Sequence, residues 1–180
     1  MSIYSVTRGI NGGGFTVKKG IQFMVKAAAA ACVFLLAGCQ FLSAPDKEFS
    51  KAGMSITLTS DFAETEVVTQ TATYQSKDSV VMALKEEFTL FEELGISSDM
   101  TLGEYAELIF QTNAITSTVE EKEGLTCFRY QKEINGKEMT YFAVVEKGSD
   151  AYWLFQFSCE SKNYEKREKS FIEWAKTIKI

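Results

Sequence analysis

The chain has 180 residues, with 19 Lys or Arg against 24 Asp or Glu, a net charge of −5 and no histidine. An acidic balance argues against nucleic acid as a partner, because such binding rests on Lys and Arg neutralising phosphates. The lack of histidine removes the commonest general base and the commonest metal ligand.

Residues 1–38 hold Arg8, Lys18, Lys19 and Lys26 and no acidic residue. They end in the apolar run Ala27 to Gly38, 12 residues long. As a helix that run would span about 18 Å, against a bilayer core of about 30 Å, too short to cross permanently. A positive region, a short apolar stretch and a small-residue end form the export pattern. Leu36-Ala37-Gly38-Cys39 resembles the lipobox of bacterial lipoproteins, in which the chain is cut before the cysteine and the thiol receives diacylglycerol. The resemblance implies cleavage between Gly38 and Cys39, lipidation of Cys39, and a membrane-lipid anchor on the extracytoplasmic face of a cell or outer membrane. Two acyl chains anchor stably where one is marginal. Met24 lies just before Val25-Lys26 and the apolar run, so Met1 and Met24 both stand as candidate translation starts. Removal of residues 1–38 leaves 142 residues carrying 15 basic and 24 acidic side chains, a net −9. That length suits one domain with a proper core, and its charge leaves the anchoring to lipid.

Residues 39–51 read as a lipidated tether. Gln40 to Lys51 has no periodicity and holds Pro45, the one proline; twelve residues reach at most about 40 Å. Residues 52–180 read as a single domain. Met54 to Leu58 alternates apolar and polar as a half-buried strand does. Residues 66–75 are rich in β-branched and aromatic types and predict a second strand. Ser76 to Asp78 is a turn. Val80 to Leu84 fits a returning strand or the start of a helix running to Leu94. Gly95 and Ser97-Ser98-Asp99 break the pattern. Thr101-Leu102-Gly103-Glu104 is a capping box, and Leu102, Tyr105, Ala106, Ile109 and Phe110 follow at helical spacing, predicting a helix over 101–113. Residues 114–121 look like a strand.

Leu125 to Ile134 predicts a strand, Asn135-Gly136 is the preferred type I′ pair, and Lys137 to Glu146 returns. Gly148-Ser149 then turns into Ala151 to Glu160, completing a three-strand meander. The first turn pairs Ile134 with Lys137, so Phe128 faces Ala143 and Cys127 faces Val144. A two-residue second turn would pair Lys147 with Asp150, Val144 with Trp153 and Glu138 with Cys159. One face then carries Phe128, Tyr130, Met139, Tyr141, Val145, Tyr152 and Leu154. The other carries Cys127, Phe142, Val144, Trp153, Phe155, Phe157 and Cys159. Both faces are apolar, so both need cover, and helices on both sides are the simple solution. Cys127 and Cys159 share a face but lie about 20 Å apart along the ladder, too far for a disulfide. Asn163 to Ile178 predicts a closing helix with Tyr164, Phe171, Trp174, Ala175 and Ile178 as its apolar stripe.

Thr101-Leu-Gly-Glu-Tyr-Ala-Glu-Leu108, the hairpin containing Gly136-Lys137, Tyr152-Trp-Leu-Phe-Gln-Phe157 and Phe171-Ile-Glu-Trp-Ala-Lys176 resemble small bacterial lipoproteins of the PsbP-like fold. DcrB-type envelope lipoproteins and the PsbP subunit of photosystem II belong to that group. The resemblance covers about residues 50–180 and implies an α+β fold, an antiparallel sheet between helices in an α/β/α sandwich. It implies no enzyme and no cofactor, and its motifs mark core positions rather than chemistry.

Candidate chemistry is sparse. Glu86-Glu87, Glu92-Glu93, Glu104 with Glu107, and Glu120-Glu121 with Glu123 are paired carboxylates that acid–base or calcium chemistry could use, but no calcium-loop spacing occurs and a solvated face accounts for them. Cys127 and Cys159 have no histidine to activate them and read as core thiols. No Gly-x-Ser-x-Gly elbow or phosphate-cradling loop is present in the domain. Trp153, Phe155 and Phe157 read as core rather than as a pocket wall. Arg129 is the exception: it shares a face with Phe142 and Trp153, where it either snorkels to the rim or pairs with a carboxylate. Three functions follow in order of fit. The first is a non-catalytic protein docking on another envelope protein, the second a small-ligand or cation-binding lipoprotein, and the third an envelope hydrolase.

Overall fold

The computed structural model describes residues 44–180. The export segment 1–38, the Gly38–Cys39 cut, the lipidation site Cys39 and the first part of the tether lie outside the described residues. Strands β1 (Asp46–Lys51), β2 (Met54–Thr59), β3 (Ala63–Glu64), β4 (Ala72–Gln75) and β5 (Val80–Glu87) lead into helices α1 (Phe88–Glu93) and α2 (Leu102–Asn113). Strands β6 (Glu120–Lys122), β7 (Leu125–Ile134), β8 (Lys137–Lys147) and β9 (Ala151–Glu160) follow, and a short 3-10 turn leads into helix α3 (Tyr164–Ala175). The main antiparallel sheet has the order β3-β4-β5-β9-β8-β7-β6, and β1 and β2 form a separate hairpin.

The central strands are apolar on both faces, and each face has a cover. Phe142, Val144, Trp153, Phe155 and Phe157 pack under α3 and under Phe49, Met54, Ile56 and Leu58 of the β1–β2 hairpin. Tyr130, Tyr141, Val145, Tyr152 and Leu154 pack under Phe91 of α1 and Tyr105, Ala106, Ile109 and Phe110 of α2. The closing helix buries Tyr164, Phe171, Trp174 and Ala175, with the Phe171 ring 5.8 Å from that of Phe157 on β9. Helices thus lie on both sides of the sheet, and the hairpin completes one of the two covers.

Helix α2 begins at the expected capping box. The Thr101 side chain accepts from the Glu104 amide while the Glu104 carboxylate accepts from the Thr101 amide. Its far end is closed by Ala114 at φ 53°, with the Ile115 N–H donating to the Phe110 carbonyl at 3.0 Å.

Turn chemistry sets the register. Asn135 and Gly136 both have positive φ, 52° and 76°, and the pairs Phe128–Ala143 and Cys127–Val144 form as expected. The second turn differs. Lys147 pairs with Tyr152, Val144 with Phe155 and Thr140 with Cys159, two residues from the Lys147–Asp150, Val144–Trp153 and Glu138–Cys159 register expected for a tight turn. A two-residue hairpin needs positive φ at its first central position. Gly148 does not adopt it, so the loop widens, with Gly148 N–H donating to the Ala151 carbonyl at 2.9 Å. A shift of two keeps every side chain on its face, which is why the core composition holds although the pairing moved.

Three further expectations are corrected. Residues 46–51, read as tether, form β1, because Ala52 and Gly53, at φ 53° and 92°, fold them back onto β2. The strand expected over 66–75 is confined to Ala72–Gln75. Before it, the Gln70 N–H donates to the Val67 carbonyl in a turn, and Thr71 is tied to Ala83 and Lys85. The strand expected over 114–121 shrinks to Glu120–Lys122, the part that the positive-φ pair Glu123-Gly124 brings against β7. The two readings of Val80 to Leu94 resolve in sequence, a strand to Glu87 and then α1.

Phe49 is 8% exposed and its ring lies 4.8 Å from that of Tyr74, so β1 belongs to the domain. Phe49→Ala is expected to cost about 3 kcal/mol in urea unfolding; a change under about 0.5 kcal/mol would return residues 46–51 to the tether.

Candidate functional site

The expected site residue Arg129 sits near the middle of β7, exposed, on the face covered by α3. Its guanidinium carbon lies 5.5 Å from the centroid of the Tyr164 ring at the start of α3, a cation–π contact. No carboxylate within salt-bridge distance of Arg129 is found among the described residues. The neighbouring charges are already engaged: Lys122 Nζ pairs with Glu168 Oε1 at 2.9 Å, and Arg167 pairs with Asp78. Tyr164 donates to Glu168 at 3.3 Å. Burial, then the Glu168 charge, pushes its phenol well above the ordinary tyrosine value while Arg129 pulls the other way. Tyr164 is therefore neutral and presents an undisturbed ring face to the guanidinium.

Beside this pair is a groove of about 380 Å³ lined by Thr116, Arg129, Tyr130, Gln131, Thr140, Ser161, Tyr164 and Glu165. Its polar groups come from four places: the segment after α2, the part of β7 beyond its pairing with β6, strand β8, and the β9–α3 junction. Thr140 donates to Ser161 at 2.8 Å, which pins the junction to the sheet. The Ser117 hydroxyl donates to the Arg129 carbonyl at 2.7 Å, which holds the segment after α2 along the sheet edge. The groove offers one cation, three aliphatic hydroxyls, two phenols, an amide and one carboxylate. That set suits hydrogen bonding to a polar or anionic group and lacks a nucleophile with a base beside it.

The carboxylate pairs do not gather, and no cluster of three metal-ligating groups occurs among the described residues. Glu104 is spent in its cap. Glu160 and Glu168, which no expectation singled out, are engaged by lysines. One member departs from the solvated-face reading. Glu86 is 3% exposed, and the Tyr105 hydroxyl donates to its Oε2 at 2.5 Å. Tyr105 stacks on Tyr152 with centroids 4.6 Å apart, and the Tyr152 hydroxyl donates to the Met100 carbonyl at 2.6 Å. The signal was present in the sequence: Val80, Met82 and Leu84 put Glu86 on the same apolar side of β5. Burial raises its carboxyl from 4.5 to about 7, opposed by the Tyr105 hydrogen bond. Cys127 and Cys159 are free and buried, as expected. Burial pushes both thiols up to about 11, so neither is a thiolate at neutral pH.

No protein-family model matches the chain, and no curated protein matches its sequence. Among solved structures, the solution structure of the cyanobacterial PsbP (CyanoP) from Synechocystis sp. PCC 6803 is similar, with a TM-score of 0.50 and 11% identity over 85% of this chain and 99% of that one. A protein from Bacteroides thetaiotaomicron VPI-5482 matches with a TM-score of 0.46 and 12% identity, over 77% of this chain and 48% of that one. A point variant of Mog1 matches with a TM-score of 0.48 and 9% identity, over 76% and 96%. The likeness to CyanoP shows the fold: an α+β, PsbP-like sandwich.

The Glu86 carboxyl gives a pH signature. In the folded protein it keeps its proton to about pH 7, and when unfolded it releases it near 4.5. Its contribution is therefore full below about pH 4.5, declines as pH rises to 7 and is absent above. The loss is on the order of 3 kcal/mol. Glu86→Gln is expected to raise the unfolding midpoint at pH 8 and to remove most of the decline between pH 5 and 8. An unchanged slope would show that Glu86 titrates at an ordinary value.

Proposed function

We propose that this protein is a membrane-anchored, extracytoplasmic lipoprotein that docks on another envelope protein through the Arg129 groove and catalyses no reaction. Three lines support the reading. The export pattern ending in Leu36-Ala37-Gly38-Cys39 addresses the chain to the envelope and supplies a lipid anchor at Cys39. The PsbP-like fold is consistent with an accessory or binding role. The observation that carries the docking site is Arg129: an exposed guanidinium held over Tyr164, facing a polar groove while its cationic neighbours are paired. Arginine on a pre-ordered platform is the kind of side chain that dominates interface energetics. The small-ligand reading rests on the same groove, whose volume of about 380 Å³ lies at the small end of ligand sites. Cation binding through the acidic clusters has less support, since they are dispersed over separate elements.

Cross-linking in intact cells with the lipidated protein as bait is expected to capture one dominant envelope protein. Arg129→Glu should cut that capture about tenfold or more while leaving abundance unchanged. Capture that is indifferent to Arg129→Glu would remove the groove from the interface. An absent partner, together with a thermal shift on adding small anions that Arg129→Glu abolishes, would move the reading to ligand binding.

A further inference from the structure

We propose that the domain stands on the lipid surface in one sense, with the end of the sheet that carries the Ser76–Ser79 and Asn135–Gly136 turns facing the headgroups. The loop 65–71, α1 and the Gly148–Asp150 turn then point away. The proposal rests on the anchoring at Cys39 set out above.

The direction follows from β1. Ala52, at the tip of the β1–β2 hairpin, lines a groove with Thr71, Lys85 and Glu87, at the end of β5. Three residues back along β1, the Phe49 ring lies against that of Tyr74, which pairs with Val81 at the start of β5. The hairpin therefore runs along β5, and Asp46 lies beyond Phe49 toward the Val80 end. That is the end where β4 turns into β5 at Ser76–Ser79, where β7 turns into β8 at Asn135–Gly136, and where β9 passes into α3. The chain enters there and is fastened there, because the Pro45 carbonyl accepts from the Ser60 N–H at 2.7 Å.

Lengths exclude the inverted sense. With β1 inside the fold, a stretch the length of Cys39 to Pro45 reaches at most about 22 Å. Strand β8, with 11 residues, is about 35 Å long. Turning the domain over would lift its attachment point about 35 Å from the surface, farther than the connection can reach. A tether running to Lys51 would have permitted either sense.

Charge is mixed at both ends, so the sense is set by length and not by charge. The near end mixes signs, with exposed Lys77, Lys132, Lys137 and Lys162 among Asp61, Glu133 and Glu138. The far end carries exposed Glu66, Glu87, Glu92, Glu93, Glu123 and Asp150 with Lys51, Lys85, Lys147, Lys176 and Lys179 among them; Lys85 pairs with Glu87 and Asp150, and Lys176 with Glu123.

The test uses the lipidated protein in vesicles of phosphatidylethanolamine and phosphatidylglycerol carrying an acceptor dye on the headgroup. A donor dye is placed through Lys77→Cys or Lys132→Cys near the attachment, and through Val68→Cys or Ser149→Cys at the far end; the buried Cys127 and Cys159 stay unlabelled under native conditions. Energy transfer is expected to be at least twofold higher from positions 77 and 132 than from 68 and 149. Equal or reversed transfer in protein that floats with the vesicles overturns the orientation alone. Protein that does not float overturns the anchoring reading and the orientation with it.

Discussion

Strand β9 is the constraint on which the rest of the structure depends. Every residue from Ala151 to Cys159 is buried, on both faces of the sheet, so neither face can be left to solvent. Each side chain placed there needs a cover supplied by another part of the chain. Helix α3 and the β1–β2 hairpin cover one face, and α1 and α2 the other. A strand of this kind can only sit inside the sheet, and β9 lies between β5 and β8. The order of the whole sheet follows: sequentially distant β5 joins the meander because β9 has an open edge to offer it.

Two polar groups admitted to this interior are held by tyrosine hydroxyls. Gln156, in the middle of β9, donates to the Tyr130 hydroxyl at 2.6 Å. Glu86 receives the Tyr105 hydroxyl and lies beneath α2. An isolated carboxylate at such a site would strongly resist ionisation, so the layer under α2 is favoured in its protonated form. Lys147 lies 5.2 Å from the Tyr152 ring centroid and pairs with Asp99 at 3.3 Å, placing a cation at the margin of the same aromatic cluster without burying it.

Much of the fold was legible because strong local signals agreed with the global arrangement. The Thr101–Glu104 cap, the Asn135-Gly136 turn and the two-sided meander identify α2, the β7–β8 register and the need for two covers. Registers set by unusual turn residues were not legible. Ala52 and Glu123 adopt positive φ although their types rarely do, so the β1–β2 and β6–β7 hairpins had no visible punctuation. Gly148-Ser149 looked like a tight turn and is not one. The β-rich composition of 66–71 was misleading because propensity supplies no pairing partner. At the candidate site, Arg129 was recognisable as a polar residue at an apolar-face position. Its platform, Tyr164, was assigned to the helix stripe, because a contact across 35 residues of chain has no sequence signature. Glu86 was grouped with surface acids although the alternation along β5 placed it inside.

Correcting the tether links fold to proposed function. A lipidated cysteine followed by a long free linker lets a domain tumble. A cysteine a few residues from a packed strand makes the membrane part of the domain's environment and limits which surfaces a partner can reach. The Arg129 groove lies on the flank of the sheet and reaches the β9–α3 junction, at the end that the proposed orientation turns toward the surface. The most direct measurement is the intact mass and N-terminal sequence of the protein recovered from the membrane fraction. A chain beginning at Cys39 and carrying diacylglycerol is expected. A recovered protein that retains residues before Cys39, or an unmodified Cys39 thiol, would contradict the anchored reading.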